Sequence, residues 1–103
     1  MYKLCVFIPE DHLEPVKDSM FAAGAGGMGN YDRCSWEVLG RGQFRPLPGS
    51  NAYMGETGET SRVAEYRVEL LCDEAVITAV IAAMKASHPY EEPAYEVYRL
   101  ESF

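Results

Sequence analysis

Residues 66–88 read YRVELLCDEAVITAVIAAMKASH, and their apolar pattern changes period halfway. Tyr66, Val68 and Leu70 recur at every second residue, the mark of one face of a strand over Val63–Leu71. Asp73 has the chemistry of a helix cap. Beyond it the spacing becomes three and four, and Val76, Ile77, Val80, Ile81 and Met84 form a helical stripe. The same order stands 64 residues earlier in the chain. Leu4, Val6 and Ile8 fall on Val68, Leu70 and Cys72. Val16 falls on Val80, Met20 on Met84, and Gly24 on His88.

The rest of the chain fits around this repeat. Tyr2–Ile8, bounded by Pro9, reads as a strand. Leu13, Val16, Met20 and Phe21 give a helix; Asp11 and Glu14 resemble a capping box, and Pro15 is tolerable only in the first turn. The glycines of Gly24–Gly27 stop it. Arg33–Gly40 predicts the second strand and Ala94–Leu100 the fourth. Between strands two and three, Arg41–Ser61 holds four glycines and two prolines, which predicts a long excursion with room for a short hairpin. Strand–helix–strand, twice, predicts an α+β fold of the ferredoxin-like βαββαβ type. It has a four-stranded antiparallel sheet with both helices on one face, in one domain over residues 1–103. The opposite face would carry Cys5, Phe7, Leu71, Tyr98 and Leu100. It calls for a partner unless the excursion folds back over it.

The chain has 103 residues and a net charge of −7, from 16 acidic and 9 basic side chains. Such a surface repels phosphate backbones, so no nucleic-acid partner is expected. Apolar residues make up 48% and charged residues 24%, as in an ordinary soluble globule. Cys5, Cys34 and Cys72 are odd in number and form no CxxC pair, which fits free thiols in the cytoplasm. The short apolar runs predict no signal peptide and no membrane span.

GAGGMG at Gly24–Gly29 matches G-x-G-x-x-G letter for letter. A dinucleotide needs those glycines after a strand and at a helix N-terminus; here they follow a helix and meet carbonyls, so a C-cap and tight turn are expected. No nucleophile, P-loop or zinc-protease motif occurs, and His12 and His88 are the only histidines. The remaining cluster is HPYEEPAY, His88–Tyr95. His88, Glu91 and Glu92 are ligand types suited to a divalent metal ion on one stiff turn. The same residues also suit a purely structural connector, because Pro89 and Pro93 hold the chain extended and Tyr90 and Tyr95 bury rings with wet hydroxyls. In the excursion, Arg41, Arg45, Asn51 and Tyr53 suit either a binding loop or an arm that clasps a second subunit.

GAGGMGNYDRCSW, GQFRPLPGSNAYMGETGE and HPYEEPAYEVY, in this order, resemble the small domain inserted in YqfO-type (Nif-three-like) proteins, and the likeness runs from the first strand to the last. In the larger members that domain interrupts two lobes carrying a dinuclear metal centre. The resemblance implies a stand-alone version of the inserted domain, without that centre or its hydrolase activity. The inserted domain is in turn similar to CutA and PII proteins, which form trimers through their open sheet faces. His88, Pro89, Tyr90 and Glu91 match a stretch of CutA, a family associated with copper and other divalent metals; Ala94 stands where CutA often has a carboxylate. PII proteins bind nucleotides and partners through the loop between strands two and three, but the excursion here is not similar in sequence and implies no such ligand.

Three functions follow as expectations. The first is a non-catalytic homotrimer that binds a small ligand, a metal ion or a partner protein, with no cofactor assigned. The second is a metal-dependent hydrolase or a helper to one. The third is a purely structural assembly module.

Overall fold

The computed structural model describes residues 1–103. Four strands, β1 (Tyr2–Pro9), β2 (Trp36–Phe44), β3 (Ser61–Cys72) and β4 (Tyr95–Arg99), form one antiparallel sheet in the order β2-β3-β1-β4. Helices α1 (Leu13–Ala22) and α2 (Ile77–Ser87) complete the expected βαββαβ order. A 3-10 turn at Glu10–His12 precedes α1.

The repeat builds the core. The central strands pair Leu4 with Leu70 and Val6 with Val68, so the two copies of the alternating pattern lie side by side. Val16, Met20, Val80 and Met84 are fully buried above them. Each such side chain contributes roughly 1.5–3 kcal/mol of transfer free energy. Ser19 Oγ donates to the Ala83 carbonyl at 2.8 Å and ties the helices together where their repeats meet.

Three local expectations need correction. The second strand begins at Trp36 rather than Arg33 and runs through Gly40 and Gly42 to Phe44. Met28 and Tyr31 form a small bridged turn, and Arg33 sits at φ 56°, so the chain is not extended before Trp36. Pairing with β3 from Glu69 to Ser61 then overrides the weak strand preference of the two glycines. The excursion is correspondingly shorter, residues 45–60. Neither helix has a side-chain cap: Asp11 instead bonds His12, and Asp73 supplies only its carbonyl, to the amides of Val76 and Ile77.

The end of α1 is a glycine C-cap. Gly24, at φ 114°, donates to the Phe21 carbonyl while Ala25 donates to Met20, the paired bonds of a Schellman motif. Gly26 gives its amide to Leu71. These backbone donors are thus used within the fold.

Cys5, Phe7, Leu71 and Tyr98 lie on the face away from the helices, joined by Trp36 and Val38 of β2, whose face follows from the pairing with β3. Cys5 is fully buried, which pushes its thiol pKa up. Lys3 and Arg67 pair with Glu69 at 3.2 and 3.4 Å on the same face. The excursion leaves the two edge strands of this face uncovered: Trp36 is 57% and Val38 46% exposed on β2, and Tyr98 43% on β4. Leu100 lies just past β4, where its amide bonds the Met1 carbonyl.

Candidate functional site

Where α2 hands over to β4, Pro89 forces an extended residue, and His88 takes φ −76° and ψ 135°. Its amide still closes the helix on the Met84 carbonyl. Its ring is buried, at 6% exposure, and both nitrogens are used. Nδ1 accepts the Tyr90 N–H at 3.1 Å, so Nε2 carries the proton and donates to the Phe7 carbonyl at 2.7 Å. Phe7 also gives its own amide to Ala94 at 3.1 Å. One residue of β1 therefore holds both ends of the 88–94 turn. Burial pushes the His88 pKa below its ordinary value and the His12 charge adds to this, against the bond to Phe7. The imidazole is a neutral strut.

The turn presents Tyr90 to the excursion. Its ring lies 4.9 Å from His88, 6.1 Å from Phe44 and 6.3 Å from Tyr53, centroid to centroid. Its hydroxyl donates to Glu65 Oε2 at 3.3 Å. Burial, helped by the Glu65 charge, pushes the Tyr90 pKa up to about 12. Glu65 lies on β3, on the face away from the helices, and leans across β2 at Gly42. A Cβ at position 42 would collide with its carboxylate, so the glycine makes room for that side chain.

Two contacts fasten the excursion. Asn51 donates its amide to Glu91 Oε1 at 3.0 Å. Tyr53 donates to Asp11 Oδ2 at 3.3 Å and meets His12 edge-on at 5.4 Å. The hydrogen bond from His12 holds the Asp11 carboxyl below its usual range. Between excursion, hairpin and turn lies a cleft of about 400 Å³, lined by Phe44, Tyr53 and Tyr90, by Glu65, Glu91 and Glu92, and by Arg45.

The structure thus brings Glu91 and Glu92 to the cleft and turns His88 inward. No three of the chain's His, Cys, Asp and Glu side chains are grouped so as to hold a metal ion. The His88 ring has no free lone pair, since Nδ1 already accepts and Nε2 is protonated. The donor set within one subunit does not fit the divalent metal that the resemblance implies. Of the excursion residues singled out by sequence, Arg45 and Tyr53 line the cleft, while Asn51 fastens it. Sequence reasoning missed Glu65, Phe44 and Gly42. Their common signal is the β2–β3 register, carried past Gly40 to Phe44.

No family model matches the chain. It is 44% identical over 98 residues to a Mycobacterium leprae protein named GTP cyclohydrolase 1 type 2 homolog, covering 95% of this chain and 26% of that protein. It is 43% identical over 99 residues to the Bacillus subtilis protein of the same name, covering 96% and 26%. The chain thus spans about a quarter of the length of the curated relatives it matches. Among solved structures, a Bacillus cereus protein related to NIF3 superposes with a TM-score of 0.83 at 40% identity, over 98% of this chain and 26% of that one. CutA from Archaeoglobus fulgidus superposes with a TM-score of 0.69 at 14% identity, over 100% and 87%. The chain is therefore similar to a domain-sized segment of these Nif3-related proteins and has the CutA-like, ferredoxin-type fold.

Proposed function

We propose that residues 1–103 act as one non-catalytic unit that binds a small ligand in the cleft and assembles into a homotrimer through the open sheet face. The cleft carries this reading. It is about 400 Å³, within the range of small-molecule sites, and mixes apolar walls with a few convergent polar groups. The trimer is supported by exposed Trp36, Val38 and Tyr98 on a face the helices leave bare, and by the CutA-like fold. Three free thiols support the reducing cytoplasm as its location, and no helix is long and apolar enough to cross a membrane.

The name of the curated relatives points to GTP. The matched segment is a quarter of those proteins, and three carboxylates in the cleft repel a triphosphate. The structural-module reading is favoured by one observation, the use of His88 as a strut.

Native mass spectrometry of protein purified without chelator or tag tests both halves of the proposal. A trimer that retains a small organic mass is the expected result. A monomer sinks the assembly half, and Trp36→Glu is expected to dissociate the trimer while leaving a folded subunit. A trimer with no retained mass, together with a fragment screen that shifts no amide near Phe44, Tyr53 or Tyr90, sinks the ligand half and leaves the structural module.

A further inference from the structure

The lining of the cleft selects among ligand classes. Three carboxylates, Glu65, Glu91 and Glu92, face one guanidinium, Arg45. Glu65 is half-buried, has no cationic partner within ion-pair distance, and receives only a long hydrogen bond from Tyr90, at 3.3 Å. A carboxylate partly removed from water and left without a counter-charge favours an incoming cation. Tyr90, Phe44 and Tyr53 line the same cleft, and aromatic rings attract cations through their quadrupoles. Gly42 leaves the Glu65 carboxylate room to lie across β2. A bare metal ion does not suit these walls, because no three ligating side chains converge.

We propose that the cleft takes a small organic cation, an amidinium, guanidinium or ammonium group on a flat or aliphatic body, with Glu65 as its counter-ion and Tyr90 as its stacking surface. This rests on the cleft being a ligand site. The charged head would lie against Glu65 and the body against the rings, with Glu91 and Glu92 at the rim.

The test is an amide NMR titration of the full chain at low salt with three probes of one shape: benzamidine, neutral benzamide and anionic benzoate. Benzamidine is expected to shift the amides around Phe44, Glu65 and Tyr90 and to bind about tenfold or more tightly than benzamide, equivalent to about 1.4 kcal/mol. Glu65→Gln is expected to remove most of that preference. Gly42→Ala keeps the charge but pushes the carboxylate aside, and is expected to weaken benzamidine several-fold while leaving the α1 and α2 amides unmoved. Equal binding of benzamide, tighter binding of benzoate, or an undiminished preference in Glu65→Gln overturns the cation assignment and leaves the cleft as a site for another class. No shift at the cleft from any probe overturns both readings.

Discussion

Gly24 and His88 stand 64 residues apart in the repeat, just beyond α1 and α2, and they close the two helices by opposite means. Gly24 has no side chain; it turns the chain at φ 114°, and two backbone bonds close the helix. His88 stays in extended backbone, and a buried imidazole bonds the chain before and after it. The glycine end leads into a turn that docks on the Leu71 carbonyl. The histidine end leads into the turn that carries Tyr90, Glu91 and Glu92 to the cleft. Two copies of one unit thus diverge just past the helix, and the cleft lies beside the copy whose end is held by a side chain.

Removing that side chain is the strongest way to break the comparison. His88→Ala leaves the Phe7 carbonyl and the Tyr90 amide without partners and opens a cavity beside the Tyr90 ring. The expected loss is about 3 kcal/mol in denaturant unfolding, from two orphaned polar groups and lost packing. His88→Gln, which can return a donor toward Phe7, is expected to lose less. A loss below 1 kcal/mol in the alanine variant would show that the ring is not a strut and would reopen its use as a ligand.

At the other end, Gly24→Ala should cost less, about 1–2 kcal/mol, because an L-residue is strained at this φ while the rest of the motif survives. The new methyl would also press on Val76, whose Cγ1 would lie 3.3 Å away. Measured by the same unfolding experiment, a cost equal to that of His88→Ala would erase the distinction between a backbone end and a side-chain end.

The sequence made one of these ends legible and half of the other. A helix stripe running into GAGG predicts a glycine cap from local chemistry alone, and the structure has one. The repeat likewise carried the core, since Val16, Met20, Val80 and Met84 are placed by periodicity and need no long-range information. HPYEEPAY was visible as a cluster, but the direction of the His88 ring depends on the Phe7 carbonyl, 81 residues away. Glu65 and Gly42 were not legible at all. Their contact follows from the β2–β3 register and from the extension of β2 past Gly40, where residue types suggest that it stops, to Phe44. Trp36 and Val38 fall inside the expected strand, but their face is set by pairing with Glu69 and Arg67 of β3, which local sequence does not show.

Acid sharpens the comparison, because only one end titrates. Burial lowers the His88 pKa below its ordinary 6.5, so the unfolded chain takes up this proton before the folded chain does. Stability from this site is intact above pH 6.5, falls as the pH drops through 6.5 toward the folded value, and then levels off. In His88→Gln this component is absent. The stability gap between wild type and His88→Gln is expected to narrow from pH 7.5 to pH 5. A gap that stays constant would mean that the ring is equally protonated in both states.

Base gives the smallest effect and reports on the cleft side of the same turn. The Tyr90 phenol is held protonated up to about 12 by burial and by Glu65, whereas an unfolded tyrosine releases its proton near 10. The folded state therefore binds more protons across that window, and stability is present below pH 10 and lost as the pH rises toward 12. At neutral pH, Tyr90→Phe removes one long hydrogen bond to Glu65 and should cost only about 0.5 kcal/mol. As the pH rises from 9 to 11.5 the variant lacks the alkaline loss, so the gap should close and then reverse. The wild-type phenol followed by its ultraviolet band should ionise later than the other tyrosines. If the gap holds steady and no late phenol appears, Tyr90 is not packed against the half-buried Glu65 carboxylate, and the contact that links the histidine end of the helix to Glu65 is absent in solution.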